Sequence, residues 1–358
     1  MVEAIRTQSS QLVIQTAFLG DLILSIPLFK QIKSKYPDDR LILVCKTGLG
    51  DYFLKEKIVD QVFEIKKNDR GSYQKTIADL NQLNVDNLFC VHRSVRSQLF
   101  SFQIKAKRKI AFKSFLGRFI FNDLVDFKKT WPEALRQLYI LTTTDDQMAS
   151  VLNQQDWAYL NKPDAGGHLL PIPAALQGQL NLASDYVFSK KIAIFPGSVW
   201  ATKKWTEEGF AKTANHFNDQ GYQVFLMGGP DEKELCLKIQ TQTPRSQVLA
   251  GSLSIADSVK FIQTCALVIA NDSAPTHMAA CQGIPVVSIF GPTVLEMGFR
   301  PWSSNAVIVE NNNLDCRPCG KHGHQQCPLG HHHCMKQIAA NTVIDAGLRL
   351  ISSNSLSR

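Results

Sequence analysis

Residues 268–293 constrain this chain more than any other stretch. An apolar run, Val268-Ile269-Ala270-Asn271, leads straight into Asp272-Ser273-Ala274-Pro275, and a segment of mostly small residues follows to Cys281. Gly283-Ile284-Pro285 interrupts it. A second apolar run, Val286-Val287-Ser288-Ile289-Phe290, then closes on Gly291-Pro292-Thr293. Strand, tight turn, helix and strand in so short a span is the repeating unit of a parallel α/β sheet. Ligands of such sheets bind at the carboxyl ends of the strands. Asp272 stands at a natural helix N-cap with Pro275 in the first turn. The amides around Ser273 then point at an anion, most simply a phosphate. On this turn alone, an ordinary Asp-capped helix is an equal alternative.

The same alternation runs through the chain. Leu12–Ala17, Leu41–Cys45, Val62–Ile65, Asn87–Val91 and Lys109–Phe112 read as strands. Leu22–Lys33, Tyr73–Leu83 and Ser94–Phe102 read as helices. Residues 161–182, with Pro163, Gly166, Gly167, Pro171, Pro173 and Gly178, have the composition of a linker. The pattern restarts with strands at Lys191–Phe195 and Tyr222–Met227 and helices at Thr206–Gln220, Asp231–Gln240 and Ile255–Thr264. Two α/β domains follow, each with a mostly parallel, doubly wound sheet. The expected limits are 1–182 and 183–334, with 335–358 a C-terminal helix packing back on the N-terminal domain.

Composition narrows the class. The chain has 358 residues, 44% hydrophobic and 20% charged, which suits a soluble globular protein of two domains. No apolar run approaches the roughly 20 residues of a membrane span, and the polar stretch Met1–Ser10 lacks the apolar core of a signal peptide. A cytoplasmic protein is expected. The net charge of +8 suits a phosphate-bearing partner. It is densest at Lys105-Ala106-Lys107-Arg108-Lys109, where a merely solvated face is the plainer reading.

Cys45, Cys90, Cys236, Cys265 and Cys281 lie singly in apolar contexts and read as small core residues. Cys316, Cys319, Cys327 and Cys334 crowd together with His322, His324, His331, His332 and His333. They read as structural zinc ligands or as free thiols. Disulfides are the third alternative, disfavoured in a cytoplasmic protein.

Several polar turns fall at strand ends. Gly20-Asp21 follows the first strand, where a carboxylate could act as a general base or cap the next helix. Phe195-Pro196-Gly197-Ser198 is followed by Lys203-Lys204-Trp205, and a lysine there could neutralise a leaving diphosphate. Gly228-Gly229-Pro230-Asp231-Glu232 places a carboxylate where it could hold ribose hydroxyls or simply favour a helix N-terminus. No G-x-G-x-x-G loop is present, which argues against a nicotinamide enzyme.

These segments, in this order and over nearly the whole chain, resemble the heptosyltransferase family of lipopolysaccharide core assembly. The carriers are Gly20-Asp21 with Pro27, Phe195–Ser198 with Lys203-Lys204-Trp205, Gly228–Glu232, and Asn271–His277 with Phe290–Thr293. The cysteine-rich segment resembles the second heptosyltransferase more than the first. The resemblance implies the GT-B arrangement, two Rossmann-like domains facing across a cleft. It implies an ADP-heptose donor on the C-terminal domain, a lipid A–Kdo type acceptor on the N-terminal one, and inverting transfer with no catalytic metal or other cofactor. Asp21 then matches the catalytic base and Lys203 the diphosphate lysine. Glu232 matches the ribose carboxylate, Asp272 with Ser273 the diphosphate turn, and Ser198, Ala274 and His277 complete the donor set. Ala274 stands where glycine is commoner. Arg93, Arg96, Lys105, Lys107, Arg108 and Lys109 are expected to face the acceptor or the bilayer. The expected protein is a monomer, peripheral on the cytoplasmic face of the inner membrane, with no nucleic-acid partner. A sugar-nucleotide epimerase on the same fold, a family member moving another sugar, and a nucleic-acid binder with a zinc knuckle are the rival readings.

Overall fold

The fold was analysed in a computed structural model that describes residues 8–177 and 189–356. Met1–Thr7 and the end of the expected linker, 178–182, lie outside these residues. The chain divides into two compact units, the first ending at Trp157 and the second taking in Ala158–Gln177 and the rest of the described C-terminal chain.

The first unit is built on strands β1 (Ser9–Ile14), β2 (Arg40–Lys46), β3 (Gln61–Ile65), β4 (Asn84–Cys90), β5 (Arg108–Phe112) and β6 (Asp123–Val125). The second has β7 (Lys191–Phe195), β8 (Gln223–Leu226), β9 (Gln247–Val248), β10 (Leu267–Asn271), β11 (Val286–Phe290) and β12 (Ala306–Glu310). Their orders, β3-β2-β1-β4-β5-β6 and β12-β11-β10-β7-β8-β9, are the same doubly wound topology. Every pairing is parallel. Helices cover both faces of such a sheet, so its central strands must be apolar throughout. Leu12, Val13, Ile14, Ile192, Ile194, Val268 and Ile269 are all fully buried. The order reverses between β1 and β4 in one sheet and between β7 and β10 in the other. The loops leaving these four strands are therefore the places for a ligand.

Local chemistry explains the main departures from expectation. The helix read over Leu22–Lys33 is two, Leu19–Ile23 and Ile26–Lys35. Pro27 has no N–H to give to a preceding turn and instead opens the second helix. The expected linker is not a free tether over the residues described. Arg300 is buried and donates to the carbonyls of Leu160 and Leu170. The segment also pairs with β12, with Leu169 N donating to Ala306 O at 3.1 Å and Ile308 N to Gly167 O at 2.8 Å. At Gly167, where φ is +81°, a Cβ would lie 2.3 Å from Ile308 O, so only glycine fits. This pairing moves the division of the chain to residue 157, ahead of the expected 182, and covers the β12 edge.

The C-terminal helix Ala340–Leu356 packs within the second unit. Its Val343, Ala346, Leu350 and Ile351 belong to the second unit's core with Phe210, Phe217 and Leu267. That apolar face needs a partner, and the helix Glu207–Asp219 supplies it. Thr206 caps that helix, accepting from Gly209 N at 3.1 Å, and Phe210, Ala214 and Phe217 share its inner face.

Candidate active site

In the second unit the loops after β7 and β10 are tied together by Asn271, the last residue of β10. Its buried side chain donates to Pro196 O at 2.9 Å and Gly197 O at 3.2 Å and accepts from Trp205 N at 3.0 Å. This fixes the Lys203 loop against the next residue, Asp272. Lys203 Nζ lies 2.6 Å from Asp272 Oδ2 and 3.3 Å from its backbone carbonyl. The same carboxylate oxygen accepts from Thr293 Oγ1 at 2.6 Å.

Asp272 is therefore not the N-cap that the sequence suggested, because its carboxylate is taken by Lys203 and Thr293. The cap residue is Ser273, in extended conformation, and its hydroxyl donates back to Asn271 O rather than to the helix. The helix Ala274–Cys281 thus opens without a side-chain cap. Among the described residues no acceptor is recorded for the amides of Ser273 and Ala274. Two open N–H groups at a helix N-terminus, beside a lysine with one of its three N–H bonds to spare, make an anion site. His277 lies one turn into this helix. It is 3% exposed, and its Nδ1 has no partner. Burial, helped by Lys203 and opposed by Asp272, pushes its pKa down to about 4, so the ring is neutral at pH 7.

Glu232 sits under the turns that end β7 and β8. Its carboxylate accepts from Gly229 N at 2.9 Å. Its other oxygen lies so near Gly197 that a Cβ there would fall 1.7 Å away. Gly197 thus leaves the room that the Glu232 carboxylate occupies. Ser198, on the same turn, accepts from Trp200 N at 3.3 Å.

The cysteine- and histidine-rich segment is docked on the loops that carry Lys203 and Thr293. Thr202 N donates to His324 O at 3.0 Å, His324 N to Thr202 Oγ1 at 2.7 Å, and Cys319 N to Pro292 O at 2.7 Å. Arg317, a residue not singled out from sequence, is the keystone of this docking. Its side chain is buried, pairs with Glu310 at 2.6 Å, and donates to the carbonyls of Gly291, Thr293 and Asn311. Cys316, Cys319, Cys327 and Cys334 line one small cavity with His331 and His332. All nine cysteines are free thiols. Among the described residues no group of three or more His, Cys, Asp or Glu stands close enough to hold a metal ion, so the zinc expectation finds no assembled ligand set. The five isolated cysteines are buried core residues as expected, and burial pushes the thiols of Cys45, Cys90, Cys236 and Cys265 up to about 12.

In the first unit, Asp21 lies in the short helix after β1. Its carboxylate accepts from Phe18 N at 3.2 Å. Its backbone carbonyl accepts from Ser25 Oγ at 2.9 Å and Gln137 Nε2 at 3.2 Å. Gln137 also donates to Glu133 at 3.0 Å, and Glu133 pairs with Arg136 at 2.6 Å. Desolvation first, and then the nearby charge of Glu133, raise the Asp21 pKa from 3.8 to about 7. Lys46 opposes the shift only weakly. At neutral pH Asp21 is therefore poised to accept a proton. Glu133 and Gln137 were missed from sequence, because nothing local links residues over a hundred positions apart, and Ser25, four positions from Asp21, belongs to no motif that marks it. His92 was missed too, although it lies two residues past the end of β4. It bonds Thr16 Oγ1 at 2.8 Å, and burial pushes its pKa down to about 4.

The basic residues separate. Arg93 and Arg96 follow β4 and lie at the carboxyl edge of the sheet with Asp21. Lys105, Lys107, Arg108 and Lys109 lie at the start of β5, at the opposite edge of the sheet from Asp21. Lys107 pairs with Asp86 at 2.6 Å and Arg108 with Asp123 at 2.5 Å. Arg93 stacks on Phe127.

Two Rossmann-like units of the same doubly wound topology, one with open helix amides beside Lys203 and the other with a carboxylate of raised pKa, place the chain in the GT-B class. The comparisons make this specific. The family model for glycosyltransferase family 9 (heptosyltransferase) matches residues 74–332. A lipooligosaccharide heptosyltransferase 2 from Campylobacter jejuni is 26% identical over 349 residues, covering 95% of this chain and 97% of its own. One from Haemophilus influenzae is 24% identical over 356 residues, covering 93% and 97%. Among solved structures, a family 9 glycosyltransferase from Veillonella parvula aligns with a TM-score of 0.75 at 20% identity, covering 97% of this chain and 98% of that one. The E. coli ADP-heptose LPS heptosyltransferase II aligns with 0.73 at 22%, covering 97% and 99%. The chain belongs to glycosyltransferase family 9, the heptosyltransferases of lipopolysaccharide core biosynthesis. Membership decides for glycosyl transfer over the epimerase and nucleic-acid readings. No described helix is long and apolar enough to cross a membrane.

Proposed function

We propose that this protein transfers a heptose from ADP-heptose to the lipopolysaccharide inner core, with inversion and without a catalytic metal. The observation that carries the reading is the Lys203–Asp272 pair beside the uncapped helix at Ser273. In this reading the diphosphate takes the remaining N–H of Lys203 and the amides of Ser273 and Ala274. Glu232 receives a ribose hydroxyl, and Ser198 borders the same turn. Asp21, ionised, removes the proton of the acceptor hydroxyl as its oxygen bonds the anomeric carbon. The bond from that carbon to the diphosphate oxygen breaks, and ADP leaves with its charge on Lys203 and the helix amides. His277, neutral and buried behind the turn, adds no charge of its own there.

Calorimetry with ADP tests the donor site. Lys203→Ala and Asp272→Ala should each weaken ADP binding about tenfold or more, the scale of one charge-assisted hydrogen bond. Unchanged affinity in both would place the donor elsewhere. Transfer from ADP-heptose to heptose-deficient lipopolysaccharide should survive EDTA, and a strict Mg²⁺ requirement would overturn the metal-free step.

A further inference from the structure

The helix Val95–Phe102 is inside out. Its buried positions include polar Ser97, Gln98 and Ser101, while Val95, Leu99 and Phe102 face solvent at i, i+4 and i+7. An apolar stripe belongs on the inner face of a surface helix. The next exposed turn adds Phe115 and Phe119, set edge to face at 6.2 Å. These five side chains are 47% to 81% exposed. Among the described residues eleven large apolar side chains are exposed, and these five fall within residues 95–119. They form a cluster, not the scattered single residues that need no explanation. The two elements are neighbours, joined by Ser114 Oγ donating to Gln98 Oε1 at 2.8 Å.

Within this stretch of chain the charge has one sign, and Asp69 is the one acid that lines the groove beside Val95, Arg96 and Leu99. Residues 93–119 contain eight Lys or Arg and no Asp or Glu. Acids from outside the stretch pair with Lys107, Arg108 and Lys113. Arg96, Lys105 and Arg118 are exposed, with no ion pair recorded among the described residues. Protruding aromatics ringed by such cations match an anionic bilayer, whose phosphates meet the cations while the rings enter the boundary with the acyl chains.

We propose that the Val95–Phe102 helix and the Phe115–Phe119 turn together form a surface that docks on an anionic lipid bilayer. This goes beyond the transfer reaction and does not depend on which sugar is moved.

The test is cosedimentation of the full-length protein with vesicles of phosphatidylcholine alone and with about one third phosphatidylglycerol. Neither vesicle contains acceptor, so the result is independent of the transfer reading. Wild type should bind the anionic vesicles, less so as salt rises. Arg96→Glu with Arg118→Glu should lower partitioning roughly tenfold or more. Phe115→Ser with Phe119→Ser should do so by about tenfold while leaving ADP affinity and thermal unfolding unchanged, which shows the variant is folded. Equal binding by wild type and both variants, or no binding to anionic vesicles, overturns the proposal. Concentration-dependent dimerisation abolished by the Phe pair, without vesicle binding, would assign the surface to a second copy of this chain instead.

Discussion

Asp21→Asn separates a base from a helix cap. The asparagine keeps an oxygen that can accept from Phe18 N, and the backbone carbonyl keeps Ser25 and Gln137. What it loses is the ability to take a proton. If Asp21 is the base, turnover falls roughly a hundredfold or more while ADP affinity stays within twofold. Stability should move the other way. The Asp21 pKa rises from 3.8 to about 7 on folding. At about 1.36 kcal/mol per unit the ionised carboxylate costs the folded state at most about 4 kcal/mol. Asp21 is partly exposed, and water reduces the cost to roughly 1–2 kcal/mol. The folded state holds the proton more tightly than the unfolded one. The carboxyl group's stabilising contribution is thus full below pH 4 and is lost as pH rises to 7. The Asp21→Asn variant would escape that loss, so it should equal wild type near pH 4 and be the more stable from pH 7 upward. Denaturant unfolding at several pH values, beside initial rates, reads both effects. Wild-type turnover should climb with pH through about 7. Retained turnover, or a variant less stable than wild type at pH 8, would refute the reasoning.

Gly197→Ala should drive the Glu232 side chain out of its place, since the new Cβ would overlap it. ADP affinity should fall about tenfold with little loss of stability, and calorimetry showing full affinity would detach Glu232 from the donor. Arg317→Ala would leave Glu310 nearly buried and unpaired, at a cost of about 3–5 kcal/mol. It would also release the loop holding Thr293 against Asp272, so chemical denaturation should show a lower midpoint and ADP binding should weaken together.

The strand-end motifs were legible because they are local. A buried parallel strand must be apolar on both faces, and a turn at its carboxyl end must be polar and tight. Gly197-Ser198, Gly228-Gly229 and Asn271–Pro275 therefore announce themselves within a few residues. β6 and β9, three and two residues long, carry too few side chains to show a period. β12, Ala306–Glu310, is a five-residue run with four buried residues, but it lies beyond the last motif and went unread. The cap at Asp272 was misread for the same reason that other contacts were missed: its carboxylate is claimed by Lys203, 69 residues away.

The order of apolar runs and polar turns by itself laid out two doubly wound units and their polar strand ends, and the resemblance of those segments to a known family picked out Asp21, Lys203, Glu232 and Asp272 among them. Tertiary structure alone decided what state those groups are in. Glu133 and burial bring the Asp21 pKa to about 7, and Lys203 is held on Asp272 with Thr293 behind it. It also turned an expected linker into a partner of β12 and sent the basic cluster to the edge of the sheet away from Asp21. Burial and charge proximity depend on residues distant in sequence, and no local pattern encodes which of them will meet.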